Sequence, residues 1–214
     1  MRMRRKKNRD SRFENCLEYV AQTPEENKGK WRELFNKSDN ATLHVEIGCG
    51  KGGFITELAK RNPDICYVAM EKCLDALILA LEKIKAQDIK NVICICGDAE
   101  NLTEIFDENE ADRIYLNFSD PWKKARQAKR RLTHRRFLEK YKLILKPEGE
   151  IHFKTDNRPL FDFSLEEFAE TGVKVSELTF DLHNSEYNEG NIMTEYEATF
   201  SAKGFPINRC VCKF

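Results

Sequence analysis

The sequence lacks any apolar run near the roughly 20 residues that a membrane-spanning helix requires, so no segment is predicted to cross a bilayer. Its N-terminus is basic but has no apolar stretch of the secretory kind, and we therefore expect a cytoplasmic protein. No internal repeat or low-complexity linker divides the 214 residues, a length suited to one domain. The four histidines are scattered, which disfavours a catalytic triad or a histidine metal site.

The sequence contains cysteine, but it does not have the features expected of a zinc site or a disulfide framework. The pairs Cys94/Cys96 and Cys210/Cys212 are each separated by one residue, whereas zinc sites favour spacers of about two to four. A reducing compartment also disfavours disulfides. We therefore expect the eight cysteines to be structural and the chain to hold no metal.

Net charge is also absent, because 36 Lys and Arg residues balance 36 Asp and Glu residues. The balance hides a segregation into two basic segments and an acidic region between residues 162 and 189. The basic segments contain Arg2, Arg4, Arg5, Lys6, Lys7, Arg9 and Arg12, and then Lys123, Lys124, Arg126, Lys129, Arg130, Arg131, Arg135 and Arg136. One such segment alone is explained equally well as a solvated surface, but two favour a nucleic-acid partner. We predict a flexible basic tail over residues 1–29 and a single domain over residues 30–214.

Segments with strand character alternate with segments of helical periodicity, which predicts an α/β fold with a doubly wound parallel sheet. The predicted strands are residues 42–47, 65–71, 92–96, 111–118, 150–155, 173–180 and 194–201. The predicted helices are residues 31–35, 53–61, 74–85, 134–145 and 159–171. No long helix separates the last two strands, so we expect an antiparallel hairpin at that edge of the sheet.

A glycine-rich turn follows the first predicted strand, and a carboxylate stands directly before it. Gly48, Gly50 and Gly53 have the G-x-G-x-x-G spacing of dinucleotide sites, which an NAD-dependent oxidoreductase would share. A pyrophosphate on this turn would be repelled by Glu46. A nucleoside that carries positive charge has no such conflict, so the turn favours S-adenosylmethionine.

Four successive predicted strands end in a carboxylate: Glu46, Glu71, Asp98 and Asp120. Any one of them alone is better explained as a helix cap or a solvated loop residue. Together they lie where ligands bind in a doubly wound sheet, at the carboxyl ends of the strands. We expect Glu71 to accept hydrogen bonds from the ribose hydroxyls, and Asp98, with Ala99 beside it, to contact the adenine. We expect Glu46 to face the methionine end of the donor and Asp120 to face the methyl acceptor.

Several segments carry a resemblance to a known family. They are residues 117–122 (Asn-Phe-Ser-Asp-Pro-Trp), 129–133 (Lys-Arg-Arg-Leu-Thr), 154–157 (Lys-Thr-Asp-Asn), 194–197 (Thr-Glu-Tyr-Glu) and 200–204 (Phe-Ser-Ala-Lys-Gly). In these motifs the chain resembles the bacterial tRNA (guanine-N7-)-methyltransferases, and the match runs from the basic tail almost to the C-terminus. At 123–127 the chain reads Lys-Lys-Ala-Arg-Gln, where the family usually has Pro, two Lys, Arg and His.

The resemblance implies a Rossmann-like class I methyltransferase fold, with a mostly parallel seven-stranded sheet, helices on both faces and an antiparallel edge hairpin. It implies methyl transfer from S-adenosylmethionine to N7 of a guanine in the tRNA variable loop, with Asp120 at the catalytic position. The implied cofactor-binding residues are Glu46, Gly48, Gly50, Glu71, Asp98, Ala99 and Asp120. The implied substrate-binding residues are Lys124, Asp156, Thr194, Glu195, Tyr196 and Glu197. The implied RNA-binding residues are Arg126, Gln127, Ala128, Lys129, Arg130 and Arg131.

The expected chemistry needs no general base, because guanine N7 carries a lone pair and no proton. Asp120 would stabilise the positive charge that develops on the base, or hold its Watson–Crick edge. Asp156 and Glu197 could accept from the guanine N1–H and amino group, and Trp122 could stack on a base or anchor a loop. The alternatives are methylation of another RNA and RNA binding without catalysis. The sequence leaves a monomer and a homodimer equally open.

Overall fold

The computed structural model describes residues 8–214, so the basic residues predicted between positions 2 and 7 lie outside the described part. Within it the chain forms one seven-stranded sheet in the order β3-β2-β1-β4-β5-β7-β6. The strands are β1 Leu43–Ile47, β2 Cys66–Glu71, β3 Val92–Cys96, β4 Ala111–Asn117, β5 Leu145–Thr155, β6 Lys174–Thr179 and β7 Asn208–Lys213. The first five strands run parallel, and β7 lies antiparallel between β5 and β6. The strand order reverses at β1, between β2 and β4, which places a ligand crevice at their carboxyl ends.

Helices cover both faces of this sheet. They are α1 Arg9–Glu14, α2 Gly53–Arg61, α3 Leu74–Ala86, α4 Leu102–Ile105, α5 Arg135–Ile144, α6 Arg158–Glu170 and α7 Glu195–Ser201. Alternate strand residues face opposite sides, so Val68 joins the core cluster under α4, α5 and α6, while Tyr67 and Ala69 join the cluster under α2 and α3. Between residues 8 and 214 no helix is long and apolar enough to cross a membrane. The predicted fold class is confirmed.

The prediction of a strand over residues 194–201 is wrong, because this segment is helix α7. Thr194 Oγ1 accepts a hydrogen bond from Glu197 N at 2.9 Å, and the Glu197 carboxylate accepts from Thr194 N at 3.4 Å. This reciprocal pair is a capping box, which starts a helix. The last strand is instead β7, which contains the buried Cys210 and Cys212. The antiparallel edge is therefore present, but a long connection containing α7 joins its two strands.

Residues 12–20 pack against the edge strand β3 and helix α3. Cys16 and Tyr19 are buried in the core cluster under α2 and α3. Val20 forms a parallel bridge with Cys94 at the edge strand β3. Arg12 makes a two-pronged ion pair with Glu82 of α3, at 2.6 Å for each contact. The described part of the predicted flexible tail is thus packed on the domain.

Gly52 sets the start of α2 against α3. A Cβ atom at this position would lie 2.6 Å from Ala80 Cβ and 2.9 Å from Ala80 Cα, which is too close for any side chain. Its φ of +75° also lies in the left-handed region that favours glycine. The glycine-rich turn therefore packs directly on the backbone of α3.

Candidate active site

The structure brings the four predicted carboxylates to one edge of the sheet. Each follows or ends a parallel strand, and the spatial order of those strands is β3, β2, β1 and β4. Asp98, Glu71, Glu46 and Asp120 therefore follow one another along the crevice in that order. The sequence prediction of their placement is confirmed, while their individual roles remain predictions.

Glu46 at the end of β1 is the most buried of the four, with 2% of its surface exposed. Asn117 Nδ2, on the neighbouring β4, donates to its Oε1 at 3.0 Å. Its Oε2 is buried and has no hydrogen-bond partner within the described chain. Burial raises the pKa of Glu46 to about 7, although the hydrogen bond from Asn117 and the charge of Lys154 oppose the rise. An unpartnered buried oxygen is costly, and a cationic ligand would relieve that cost.

Glu71 at the end of β2 fastens the glycine-rich turn. Its carboxylate accepts from Gly50 N at 2.9 Å and from Cys73 N at 2.7 Å. Gly48 and Gly50 both have positive φ, and a Cβ atom at either position would meet nothing within 4 Å. The turn therefore presents bare backbone to open space, which is the arrangement that lets a ligand approach closely.

Asp98 lies after β3 and caps the short 3-10 turn that follows. Its side chain accepts from Glu100 N at 3.2 Å and pairs with Lys72. Although partial burial raises the pKa of Asp98, these two hydrogen bonds hold it below its usual value. Ala99 is buried in the main core, so it can offer a ligand its backbone but little side chain.

These features fit the cationic nucleoside S-adenosylmethionine. The free oxygen of Glu46 can accept from an ammonium group, and the carboxyl oxygens of Glu71 have lone pairs left for ribose hydroxyls. The buried carboxylate of Glu46 would repel the pyrophosphate of a dinucleotide.

The loop after β4 carries backbone strain at two positions. Phe118 has φ +53° and Trp122 has φ +41°, backbone angles that residues other than glycine rarely adopt. Phe118 N donates to Lys154 O at 2.9 Å, and Arg131 donates to Pro121 O at 3.0 Å and to Trp122 O at 3.2 Å. Strain of this kind persists only where surrounding contacts enforce it and is frequent at functional sites.

Within this loop Asp120 is exposed, so its carboxylate is free to face a ligand. The Ser119 hydroxyl beside it is buried and has no hydrogen-bond partner among the described residues. Trp122 is half-buried, and the Arg130 guanidinium lies 4.9 Å from its ring centre. One face of the indole is thus already occupied by a cation.

Helix α7 is held to the sheet by a buried ion pair that sequence reasoning missed. Lys154 of β5 is 5% exposed, and its Nζ donates to Glu197 at 2.8 Å, to Asn191 Oδ1 at 2.9 Å and to Ile192 O at 3.0 Å. Burial lowers the pKa of Lys154 even though Glu197 opposes the change. Lys154 lies in one of the motif segments, but no local pattern shows that its partner is on α7.

Glu197 is predicted to contact the guanine, and the structure places its side chain in the interior beside Lys154. It is 0% exposed, and besides Lys154 its carboxylate hydrogen-bonds to Asn191 Nδ2 at 2.8 Å and His183 Nε2 at 2.9 Å. Burial raises the pKa of Glu197, but Lys154 and these donors hold it below its usual value. Both of its oxygens therefore already accept hydrogen bonds from the protein, and its contact with the guanine stays a prediction.

Of the other predicted substrate residues of this region, Glu195 and Tyr196 are exposed, and Thr194 and Asp156 are half-buried. Tyr196 OH is 3.4 Å from Asp156 Oδ2 at the end of β5, and Thr194 is the N-cap of α7. Glu195 pairs with Lys83 of α3, and its carboxylate lies directly over the glycine-rich turn. A Cβ atom at Gly53 would come within 2.2 Å of Glu195 Oε2. Helix α7 thus joins the proposed substrate side to the cofactor turn.

The second basic segment divides into free and engaged cations. Within residues 8–214 the exposed cations of this segment that form no ion pair are Lys123, Lys124, Arg126, Lys129 and Arg130. Arg130 lies over the Trp122 ring, and the other four are free. Arg135 pairs with Glu167 at 2.8 Å and with Glu170, and Arg136 pairs with Glu100. Arg131 braces the β4 loop, and Gln127 and Ala128 are half-buried in the 3-10 turn Ala125–Arg130. The exposed cations concentrate beside Asp120.

The described residues 8–214 contain no group of three or more His, Cys, Asp or Glu side chains placed to hold a metal ion.

Comparison with known proteins agrees with this site. Residues 40–210 match a family model described as "Putative methyltransferase". The chain is 53% identical over 194 residues to a tRNA (guanine-N(7)-)-methyltransferase of Lachnoclostridium phytofermentans, covering 91% of this chain and 90% of the relative. It is 49% identical over 214 residues to the protein of the same name from a Geobacillus species, covering 100% and 96%. The Streptococcus agalactiae protein of that name is 47% identical, with both chains fully covered.

Solved structures support the fold. A 16S rRNA methyltransferase superposes with a TM-score of 0.62 at 12% identity, covering 96% of this chain and 93% of the other. A 30S ribosomal A1408 methyltransferase from an uncultured bacterium gives 0.60 at 16% identity, covering 85% and 90%. The match to a methyltransferase family confirms S-adenosylmethionine as the cofactor, which the glycine-rich turn and Glu46 had indicated. The chain therefore belongs to the family of tRNA (guanine-N7-)-methyltransferases.

Proposed function

We propose that this enzyme transfers the methyl group of S-adenosylmethionine to N7 of a guanine in the variable loop of tRNA. The observation that carries the proposal is the arrangement of four carboxylates along the carboxyl ends of adjacent strands. The last of them, Asp120, is exposed, and a group of unpaired cations follows it in the chain. A cationic donor fits the first part of that arrangement, and a polyanionic acceptor fits the cations. A tRNA substrate implies action in the cytoplasm. The enzyme would act as a monomer or a homodimer.

The donor side would use three carboxylates. Glu46 Oε2 would accept from the ammonium group, and Glu71 would accept from the ribose hydroxyls while it keeps its hydrogen bonds to Gly50 N and Cys73 N. Asp98 would accept from the adenine amino group, with the Ala99 backbone beside the ring. The bound donor supplies an electrophilic methyl group on a sulfonium centre.

On the acceptor side the protein mainly aligns the base. Guanine N7 attacks with its own lone pair, so alignment at roughly 3–3.5 Å can supply several kcal/mol without a base catalyst. Positive charge then appears on the purine, and the exposed carboxylate of Asp120 would stabilise it more in the transition state than in the ground state. Asp156 would accept from the guanine N1–H and amino group, with Tyr196 and Lys124 as neighbouring contacts. Glu197 would also hold α7 in place.

Phosphate binding would come from Lys123, Lys124, Arg126 and Lys129, whose side chains are exposed and unpaired within the described chain. Such contacts supply affinity and orientation without reading sequence.

The acceptor atom can be tested with labelled S-adenosylmethionine and two tRNA transcripts, one normal and one with 7-deazaguanine at the target position. We expect label in the normal transcript alone, because the 7-deaza base has no nucleophilic nitrogen. Equal labelling of both transcripts would rule out N7 as the acceptor.

The role of Asp120 can be tested with Asp120→Asn, which keeps the shape of the side chain and removes its charge. We expect kcat to fall roughly 100-fold, the usual scale for loss of one group that stabilises transition-state charge. The dissociation constant for tRNA should change little. An unchanged kcat with a higher KM for the donor would assign Asp120 to donor binding alone.

The raised pKa of Glu46 predicts pH-dependent donor binding. The ionised carboxylate binds an ammonium group better than the protonated one, so donor affinity should be roughly tenfold lower at pH 6 than at pH 7.5. The sign for stability is opposite, since a raised carboxyl pKa makes the Glu46 contribution to folding fall as pH rises from 4.5 to about 7. Calorimetric titration with the donor should show the trend in the native chain and a flat profile in Glu46→Gln. A native profile that is flat would contradict the proposed contact.

The two groups of cations should differ in their salt dependence. The double variant Arg126→Ala/Lys129→Ala should reduce the slope of log K against log salt for tRNA binding by about 2, because each lost phosphate contact removes about 1. Arg135→Ala is the matched control, since its guanidinium is engaged by Glu167 and Glu170, and it should leave the slope unchanged. Equal slopes for all three proteins would place the RNA elsewhere.

A further inference from the structure

Four aromatic rings form a continuous series that starts at the β4 loop. Phe118 lies 5.3 Å from Tyr196 between ring centres. Tyr196 stacks on Phe200 at 4.2 Å with an angle of 18° between the rings. Phe200 lies 5.7 Å from Phe205. The series therefore leads from the neighbour of Asp120 out along α7 to the segment beyond it.

The outer rings are exposed in a way that core packing does not explain. Tyr196 is 44% exposed and Phe205 is 51% exposed, and Met193 beside them is also exposed. The rings are not needed to hold α7, because the buried Lys154–Glu197 pair and the Thr194 capping box already do so. A contiguous exposed apolar patch next to an active site usually marks a binding surface.

The chemistry of this surface matches a nucleic-acid base. Every base has a π face, so exposed aromatic rings bind unstacked bases without regard to sequence. RNA loops are recognised by bases that are splayed out and stacked on aromatic side chains. Lys203 Nζ lies over the Phe200 ring, 5.1 Å from its centre, and Tyr196 also stacks on this ring. The open rings of the series are therefore Tyr196 and Phe205.

We propose that the exposed rings of Tyr196 and Phe205, with Phe200 packed between them, form a stacking platform for the nucleotide next to the target guanine. This inference rests on the proposed function, since it assigns a second part of the same tRNA loop to a defined surface. Removing the neighbouring base from the helical stack would also free the target guanine to enter the crevice beside Asp120.

The test is a coupling experiment between Phe205→Ser and tRNA transcripts that carry an abasic nucleotide immediately 5′ or 3′ of the target guanine. We expect Phe205→Ser to raise KM for normal tRNA by about tenfold, the scale of one lost base–aromatic stack, with kcat nearly unchanged. One of the two abasic transcripts should show a similar loss with the native enzyme. For Phe205→Ser, KM with this abasic transcript should be almost the same as KM with normal tRNA. Additive losses with both transcripts would overturn the proposal.

Three controls separate the possible outcomes. Leu143→Ser removes a side chain that is also 50% exposed, at the end of α5 just before the amino end of β5, and should change no kinetic constant. Phe205→Tyr should restore the native KM, and a failure to do so would count against stacking. If the native enzyme does not methylate the normal transcript, the proposed function fails. If it does and Phe205→Ser matches the native KM, the platform alone fails.

Discussion

The buried ion pair between Lys154 and Glu197 is the contact on which the arrangement of the site depends. Two charges withdrawn from water are tolerated only when each has close partners, and here Asn191, Ile192 O and His183 complete the set. Loss of either charge would strand the other, at a cost of roughly 3–5 kcal/mol. The position of α7 relative to β5 is therefore strongly determined.

The same ammonium group also acts on the cofactor side. Lys154 lowers the pKa of Glu46, which burial alone would raise further. Its backbone carbonyl accepts from Phe118 N, at the first residue of the strained loop that leads to Asp120. The side chain and the backbone carbonyl of Lys154 thus connect the proposed donor contact, the proposed charge-stabilising loop and helix α7. This connection gives a physical reason why the motif segments lie far apart in sequence but close in the fold.

The sequence was sufficient for the parallel part of the sheet, because apolar runs such as Val92–Cys96 and the glycine-rich turn are local signals. It also placed the four carboxylates, since each follows a strand whose end was correctly predicted. It failed at residues 194–201, where Thr-Glu-Tyr-Glu satisfies both strand alternation and the capping-box pattern, and only the tertiary partner of Glu197 decides between them. Arg130 and Arg131 are adjacent and chemically identical, yet one covers the Trp122 ring and the other binds the Pro121 and Trp122 carbonyls. Such differences depend on loop geometry that no local pattern carries.

The close approach of Gly52 to the Ala80 backbone has a consequence for how the donor is received. A turn pressed onto a helix has little freedom to lose, and Glu71 ties its Gly50 amide from the other side. Ordering a flexible loop around a small molecule consumes part of the interaction free energy, whereas a preformed turn avoids that loss. More of the binding free energy therefore remains for orienting the reactive centre. Because the turn is preformed, the demethylated product of the donor can also dissociate without the turn having to open.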